Sequence, residues 1–362
     1  MNRTGERVLV AMSGGVDSAV AAALLQEAGH EVIGATLRLF SETQAARGAV
    51  CGGQDHIESA RAAAAVLGIR HEVLEAAGRF EEAVLRPAWA DYDSGRTPNP
   101  CVLCNARVKL ASLAERAAAL GACAIATGHY ARLVHGPGGQ PALHRGVDPR
   151  KDQSYFLYRL EPGQLGMLRL PLGSLTKDEV RAKAEALGLP CAERSESQDA
   201  CLEPADGSFA EALRLRFGAP ARPGPFRAPD GRELGRHEGI HRFTIGQRKG
   251  TGVALGERAY VSDIDAQRAS VTLDPDPGSL LAAGLVAGDL HWQGGAPEAP
   301  RPCRVQVRYR SAAIEGRLES LEGGLALVRF AAPERAVTPG QAAVLYDGDR
   351  VLGGGPILRA LR

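Results

Sequence analysis

The densest chemical signal in the chain is Ser13-Gly14-Gly15-Val16-Asp17-Ser18, which follows the apolar run Val8–Ala11 and precedes an alanine- and leucine-rich helical pattern from Ala19 to Ala28. A strand, a tight turn and a helix in that order suit an anion. Gly14 and Gly15 carry no Cβ and can take φ > 0, so backbone N–H groups can converge on a phosphate. The helix that opens there adds the positive end of its dipole. Ser13 and Ser18 offer hydroxyls, and Asp17 can hold a magnesium ion against phosphates. The Gly-Lys-Ser/Thr ending of a Walker loop and the Gly-x-Gly-x-x-Gly spacing of a Rossmann turn are both missing.

A second signal is Gly95-Arg96-Thr97-Pro98-Asn99-Pro100-Cys101-Val102-Leu103-Cys104-Asn105. The two prolines predict an extended entry, with the Cys-x-x-Cys just before a helix. A thiol at a helix N-terminus ionises more readily than free cysteine. The remaining cysteines are scattered and supply no second pair for a structural zinc site, so a reactive thiol pair near the nucleotide leads. Two further polar clusters follow: Asp148-Pro149-Arg150-Lys151-Asp152-Gln153, and Ser195-Glu196-Ser197-Gln198-Asp199-Ala200-Cys201. Lys151 can meet phosphate, and Asp152 and Gln153 can read hydrogen-bonding edges. Lysine otherwise occurs only at Lys109, Lys177, Lys183 and Lys249. Thr176-Lys177-Asp178-Glu179 reads as a capping box, which makes Lys177 and Lys183 helix-surface residues.

These groups need a scaffold. A second apolar run spans Val32–Leu39, and the polar stretch Ser41–Gly53 reads as a mobile loop. Helix, glycine stop and strand then recur at Asp55–Leu67 with Ile69–Leu74, and at Ala106–Gly121 with Ala122–Ala126. Alternation of this kind predicts an α/β domain with a parallel sheet, and ligands there sit beyond the carboxyl ends of strands. Thr127-Gly128-His129-Tyr130 lies at one such end, where Gly128 would let a nucleotide approach closely. From about Phe209 the helical period gives way to short segments punctuated by glycine and proline. These predict a small β-rich central domain and a C-terminal β-barrel. The expected boundaries are 1–207, 208–279 and 280–362.

Composition sets limits. The net charge of +1 gives no global pull towards nucleic acid, so any RNA-binding surface must be local. The N-terminal apolar stretch is interrupted too early for a secretory signal, and no run is long enough to span a membrane. Seven cysteines in scattered positions do not suggest a disulfide framework. The expected compartment is the cytoplasm, with no membrane partner.

The six-residue turn resembles the pyrophosphate loop of the ATP pyrophosphatases. The ordered set of that loop, the cysteine loop, Lys151-Asp152-Gln153 and Ser197-Gln198-Asp199-Ala200-Cys201 resembles the bacterial tRNA-specific 2-thiouridylase (MnmA) family. Phe243–Gly250, Val307-Arg308-Tyr309-Arg310, Val337–Gln341, Tyr346–Asp349 and Gly353–Gly355 extend the resemblance over nearly the whole chain. It implies an adenine-nucleotide alpha-hydrolase-like N-terminal domain and ATP-dependent 2-thiolation of the wobble uridine in the tRNAs for lysine, glutamate and glutamine. Ala11, Met12, Ser13, Gly14, Gly15, Val16, Asp17, Ser18, Leu37 and Gly128 match the family's ATP positions. Cys104 matches the nucleophile and Cys201 the cysteine that carries the persulfide. Asn99, Pro100 and Cys101 match the stretch that faces the target base, while His129, Lys151, Asp152, Gln153, Arg308, Tyr309 and Gln341 match tRNA contacts. The implied cofactors are ATP and magnesium. The implied partners are the tRNA anticodon loop and a persulfide-donating sulfur carrier or cysteine desulfurase.

Many members carry aspartate where this chain has Cys101, a candidate general base. Cys101, Cys104 and Cys201 would alternatively ligate an iron–sulfur cluster. Two rivals lie outside tRNA thiolation: another adenylating enzyme acting on a small molecule, and a catalytically idle RNA-binding protein that uses the barrel alone.

Overall fold

The computed structural model describes residues 5–40, 53–136, 138–192, 208–253 and 255–362. Cys201 with its Ser195–Leu202 motif, and nearly all of the stretch read as a mobile loop, lie outside them.

The N-terminal sheet is built from β1 (Arg7–Ala11), β2 (Glu31–Arg38), β3 (Arg70–Glu75), β4 (Ala124–Ala126) and β7 (Leu168–Arg169). Its order is β3-β2-β1-β4-β7, and every pairing is parallel. Chain order runs one way from β1 to β3 and the other way from β1 to β4. The crevice beyond the carboxyl ends of β1 and β4 is therefore the topological switch point of the sheet. Helix α1 (Val16–Glu27) follows β1 and buries Ala19, Val20, Ala21, Ala22 and Ala23 almost completely. Small side chains let it lie close to the sheet and to the helices Gln54–Leu67 and Lys177–Ala186. Glycine stops work as the sequence suggests: Gly68 is left-handed at φ 67° and caps Gln54–Leu67.

The cysteine segment differs from expectation. A helical run starts at Pro100, so Cys101 and Cys104 lie inside it rather than before it. Pro100 at the first helical position has its φ preset and loses no hydrogen bond there, and that allows the early start. A π-helical turn, Cys104–Lys109, begins at the second cysteine and leads into Leu110–Ala119.

The central region holds a four-stranded sheet in the order β10-β11-β8-β9, from β8 (Gly224–Arg227), β9 (Glu233–His237), β10 (Tyr260–Asp265) and β11 (Ser270–Asp274). Phe226, Ile240, Phe243, Val261, Val271 and Leu273 fill its core. Besides the two-residue β13 (His291–Trp292), which pairs with β18, the C-terminal strands are β12 (Leu281–Ala287), β14 (Arg301–Gln306), β15 (Ile314–Glu322), β16 (Leu325–Arg335), β17 (Ala342–Asp347) and β18 (Arg350–Leu361). They run β12-β16-β15-β14-β17-β18, and β12 also pairs with β18, which closes the barrel.

The hairpin of β5 (Ala131–His135) and β6 (Pro141–Arg145) lies between β4 and β7 in sequence, yet β6 pairs with β18 at His144 and Arg350. Arg132 donates to Asp349 at 3.0 Å, and the Arg145 N–H donates to the Asp349 carbonyl at 2.9 Å. Ala342, Val344, Tyr346 and Val351 of the barrel share one core with Leu143, Tyr155 and Leu157 of the N-terminal domain.

Candidate active site

The turn after β1 is held by its own side chains. The Ser18 hydroxyl donates to the Gly15 carbonyl at 3.0 Å and accepts from the Ser13 N–H at 3.1 Å. Gly14 takes φ +79°, and a Cβ there would collide with the His56 carbonyl. Gly15 is extended, at φ −93°, and is the N-cap of α1; no side chain caps that helix. Its first-turn N–H groups and dipole are thus directed at the switch-point crevice, the arrangement an anion requires. The helix Gln54–Leu67 braces the turn from outside: Ser59 donates to the Gly14 carbonyl at 2.8 Å, and His56 Nδ1 lies 3.0 Å from the Ser13 carbonyl. Among the other residues expected at ATP, Ala11 ends β1, and Met12, Val16 and Leu37 bury their side chains. The Met12 carbonyl accepts from Thr36 Oγ1 at 2.6 Å, and that hydroxyl lies 2.8 Å from His71 Nε2. Burial, with Arg61 nearby, keeps His71 below the ordinary histidine range.

Gly128 lies in the same crevice, and its lack of a side chain serves the packing of the protein itself. A Cβ on it would meet the Asp17 carbonyl carbon at 2.7 Å and the Ser18 nitrogen at 2.8 Å. The missing side chain lets the β4 turn pack on the β1 turn.

Asp17 has partners that local reading missed. Lys177 Nζ donates to Asp17 Oδ1 at 2.6 Å, and the Tyr130 hydroxyl donates to the same oxygen at 2.7 Å. Lys177 is only 4% exposed, so its assignment to a helix surface is wrong; Lys183, on the same helix, does pair at the surface, with Glu27. The capping box is real, with Thr176 and Glu179 bonded both ways, but the first helical residue points inward beside the nucleotide turn. Lysine scarcity was the one sequence signal available for it.

Tyr130 is in turn gripped by Gln153, whose Oε1 accepts from the Tyr130 N–H at 3.0 Å and whose own N–H donates to the Tyr130 carbonyl at 2.9 Å. The Asp152 carboxylate, 5% exposed, accepts from the N–H groups of Gly146 and Ser154, the Ser154 hydroxyl and Arg145. Asp152 therefore organises the motif internally. Lys151 and Gln153 are half-buried. His129 lies 2.8 Å from Thr127 Oγ1 through Nδ1; burial, and then the Lys109 ammonium, push its pKa down to about 3, so it is a neutral imidazole at pH 7.

The cysteine helix meets the barrel. Gln341 Nε2 donates to the carbonyls of Thr97 and Pro98, each at 3.0 Å, and the Thr97 N–H donates to the Pro339 carbonyl at 2.9 Å. The Thr97 hydroxyl donates to Thr244 of the central region at 3.0 Å, so the segment leading to Asn99 and Pro100 is pinned by both later domains. Asn99 bonds to the Tyr155 hydroxyl, which donates to the Ala342 carbonyl at 3.0 Å. Tyr309 packs on Phe156 with ring centroids 4.2 Å apart, and burial, with Cys101 among its neighbours, raises its pKa. Cys101 is half-buried and Cys104 is 4% exposed. Arg308 is half exposed and lies 3.8 Å from Glu334.

A family profile described as "tRNA methyl transferase HUP domain" matches residues 6–204. Profiles described as "tRNA methyl transferase PRC-barrel domain" and "Aminomethyltransferase beta-barrel domain" match residues 215–274 and 282–357. The tRNA-specific 2-thiouridylase MnmA of Rhodospirillum centenum is 46% identical over 366 aligned residues, covering 98% of this chain and 92% of the relative. That of Sorangium cellulosum is 48% identical, with 99% and 94% covered. The chain belongs to the MnmA family. Its three-part fold agrees with the expected α/β domain, small β-rich domain and β-barrel. Among solved structures, NMN synthetase from Francisella tularensis aligns at 17% identity and TM-score 0.34, over 61% of this chain and 80% of the other. A 4-thiouridine synthetase–RNA complex with bound ATP aligns at 17% identity and TM-score 0.36, over 59% and 50%.

No helix among the described residues is long and apolar enough to cross a membrane.

Proposed function

We infer that this MnmA-family chain is a tRNA-uridine 2-sulfurtransferase that spends ATP to AMP and pyrophosphate. The observation that carries the reading is relatedness to tRNA-specific 2-thiouridylases over nearly the full chain. The relatives favour neither a small-molecule adenylating enzyme nor an idle RNA-binding protein. The uncapped N-terminus of α1 fits the phosphates of ATP, and Asp17, with its side chain one-third exposed, fits magnesium, which takes one or two carboxylates beside phosphate oxygens and water. Magnesium there would supply charge for the departing pyrophosphate.

The uracil C2 oxygen is a poor leaving group. Its bond to the α-phosphorus of ATP, formed as pyrophosphate departs, converts it to AMP. The base would enter splayed from the anticodon loop, and Asn99, Pro100 and Cys101 would face it. The outer sulfur of a persulfide on Cys201, loaded by a sulfur carrier or cysteine desulfurase, attacks C2 and expels AMP. The Cys104 thiolate then attacks the Cys201 sulfur, forming a disulfide and freeing the 2-thio group on the uridine. An external thiol returns the disulfide to two thiols. Lys151, Gln153, His129, Arg308, Tyr309 and Gln341 are proposed for tRNA, with Asp152 shaping that surface from beneath. A cytoplasmic site of action is consistent with a tRNA substrate.

Single-turnover thiolation of unmodified tRNA, run anaerobically, tests the sulfur route. Cys104→Ser is expected to stop thiolation while ATP is still converted to AMP, and Cys101→Asp to retain activity. Joint loss of bound iron and of thiolation in Cys101→Asp, with AMP formation intact, would overturn the persulfide route and favour the cluster on Cys101, Cys104 and Cys201.

A further inference from the structure

The chemistry above gives no task to the one lysine that reaches Asp17. Its ammonium is 2.6 Å from Asp17 Oδ1 and its side chain is 5% exposed. Lysine is seldom buried this far. Asp17 does not require it: that carboxylate is one-third exposed to water, and the Tyr130 hydroxyl already donates to the same oxygen. The lysine is also placed with care. The Lys177 N–H donates to Asp148 Oδ2 at 3.1 Å, and Asp148, 2% exposed, is anchored at its other oxygen by the Arg150 N–H at 2.9 Å. A buried carboxylate and a capping box together fix the start of a helix whose first side chain enters the switch-point crevice. The turn after β1 contains no lysine of its own.

We propose that Lys177 is the phosphate-site cation of the adenylation step, parked on Asp17 until a polyphosphate chain arrives and then bonded to that chain. This rests on reading the turn as the nucleotide site. When the uracil oxygen bonds to the α-phosphorus, the electron pair of the broken P–O bond leaves with pyrophosphate. An ammonium held this far from bulk water stabilises that developing charge, and its proton stays on Nζ throughout. The role parallels that of a Walker lysine, supplied from a helix about 160 residues away rather than from within the loop.

The test is binding of inorganic pyrophosphate to the full chain by calorimetry without divalent metal, so that Asp17 is not bridged to the ligand. Lys177→Met alone would leave Asp17 facing the anion, so the decisive comparison is Asp17→Asn against Asp17→Asn/Lys177→Met, in which the carboxylate charge is absent from both. The double variant is expected to bind pyrophosphate at least about tenfold more weakly, the scale of one charge-assisted hydrogen bond. Asp17→Asn/Lys177→Arg should recover most of that loss, and adenosine affinity should stay equal across the set, which a collapsed crevice would not allow. Equal pyrophosphate affinity in Asp17→Asn and Asp17→Asn/Lys177→Met would overturn the proposal and leave Lys177 as a partner of Asp17 only. Failure of the wild type to bind either pyrophosphate or ATP would instead overturn the reading of the turn as a nucleotide site.

Discussion

Gly128→Ala isolates the contact between the two turns that form the crevice. The added methyl would lie 2.7 Å from the Asp17 carbonyl carbon, 2.8 Å from the Ser18 nitrogen and 3.0 Å from the Asp17 carbonyl oxygen. All three atoms are backbone, so no side chain can rotate away. Restoring ordinary van der Waals spacing demands a separation of about 0.6 Å between the turns, and overpacking of this kind typically costs about 1–3 kcal/mol. The displaced residues are the second and third of α1, whose N–H groups and carboxylate face the crevice. A shift of that order in groups that must fit a transition state can lower the rate by about a hundredfold. The expected result is a fall of about 10- to 100-fold in AMP and pyrophosphate formation, followed by release of labelled pyrophosphate under saturating tRNA. tRNA affinity by filter binding should fall far less than the rate, because Arg308, Tyr309 and Gln341 on the barrel are untouched and only His129, next to the substitution, is disturbed directly. Wild-type pyrophosphate release by Gly128→Ala would refute the view that tight packing of the two turns sets the phosphate geometry.

Two further outcomes follow from the same geometry. Gln341→Ala removes both donors to Thr97 and Pro98; stability should fall by about 1–3 kcal/mol in urea unfolding, and alkylation mapped to Cys101 should quicken several-fold, whereas an unaltered alkylation rate would show that the clamp does not govern the cysteine helix. His129 titrates near 6.5 when unfolded and near 3 when folded. The unfolded chain therefore binds the extra proton between those values, and stability drops as pH falls from about 6.5 towards 3; the melting midpoint of His129→Asn should depend less on pH across that window, and an identical slope would refute the assignment.

What the sequence made legible was local. The turn after β1 is readable because Ser13 to Ser18 satisfy one another within a few residues, and the glycine stop at Gly68 acts where it stands. The barrel strands show as short alternating runs because one face of each is buried. The pairing of β6 with β18, by contrast, joins His144 to Arg350, and neither segment carries a mark of the other. Lys177 was misread for a related reason: a capping box reports how a helix begins and is silent on what its first side chain faces across the fold. At Gly128 the residue type points to a close approach, and one group that approaches is the backbone of Asp17 and Ser18. The helix is expected too late at the cysteine motif because Pro100 reads as part of the extended entry, whereas it serves as the first residue of the helix.

The β5–β6 hairpin bears on how an RNA can be read. Turning the barrel away from the N-terminal domain would have to break the His144–Arg350 pairing, the Arg132–Asp349 ion pair and the packing of Ala342, Val344 and Tyr346 together. The spacing between Tyr309 on the barrel and Cys101 on its helix is thus a property of the folded chain, set before any substrate arrives. An RNA that spans both, as proposed, would meet a gauge of fixed length, and the distortion needed to bring one base to the thiols would fall on its loop. Unpaired, flexible loops bear such distortion at least cost, and a stacked duplex of the same sequence would be refused on mechanical grounds before any base was read.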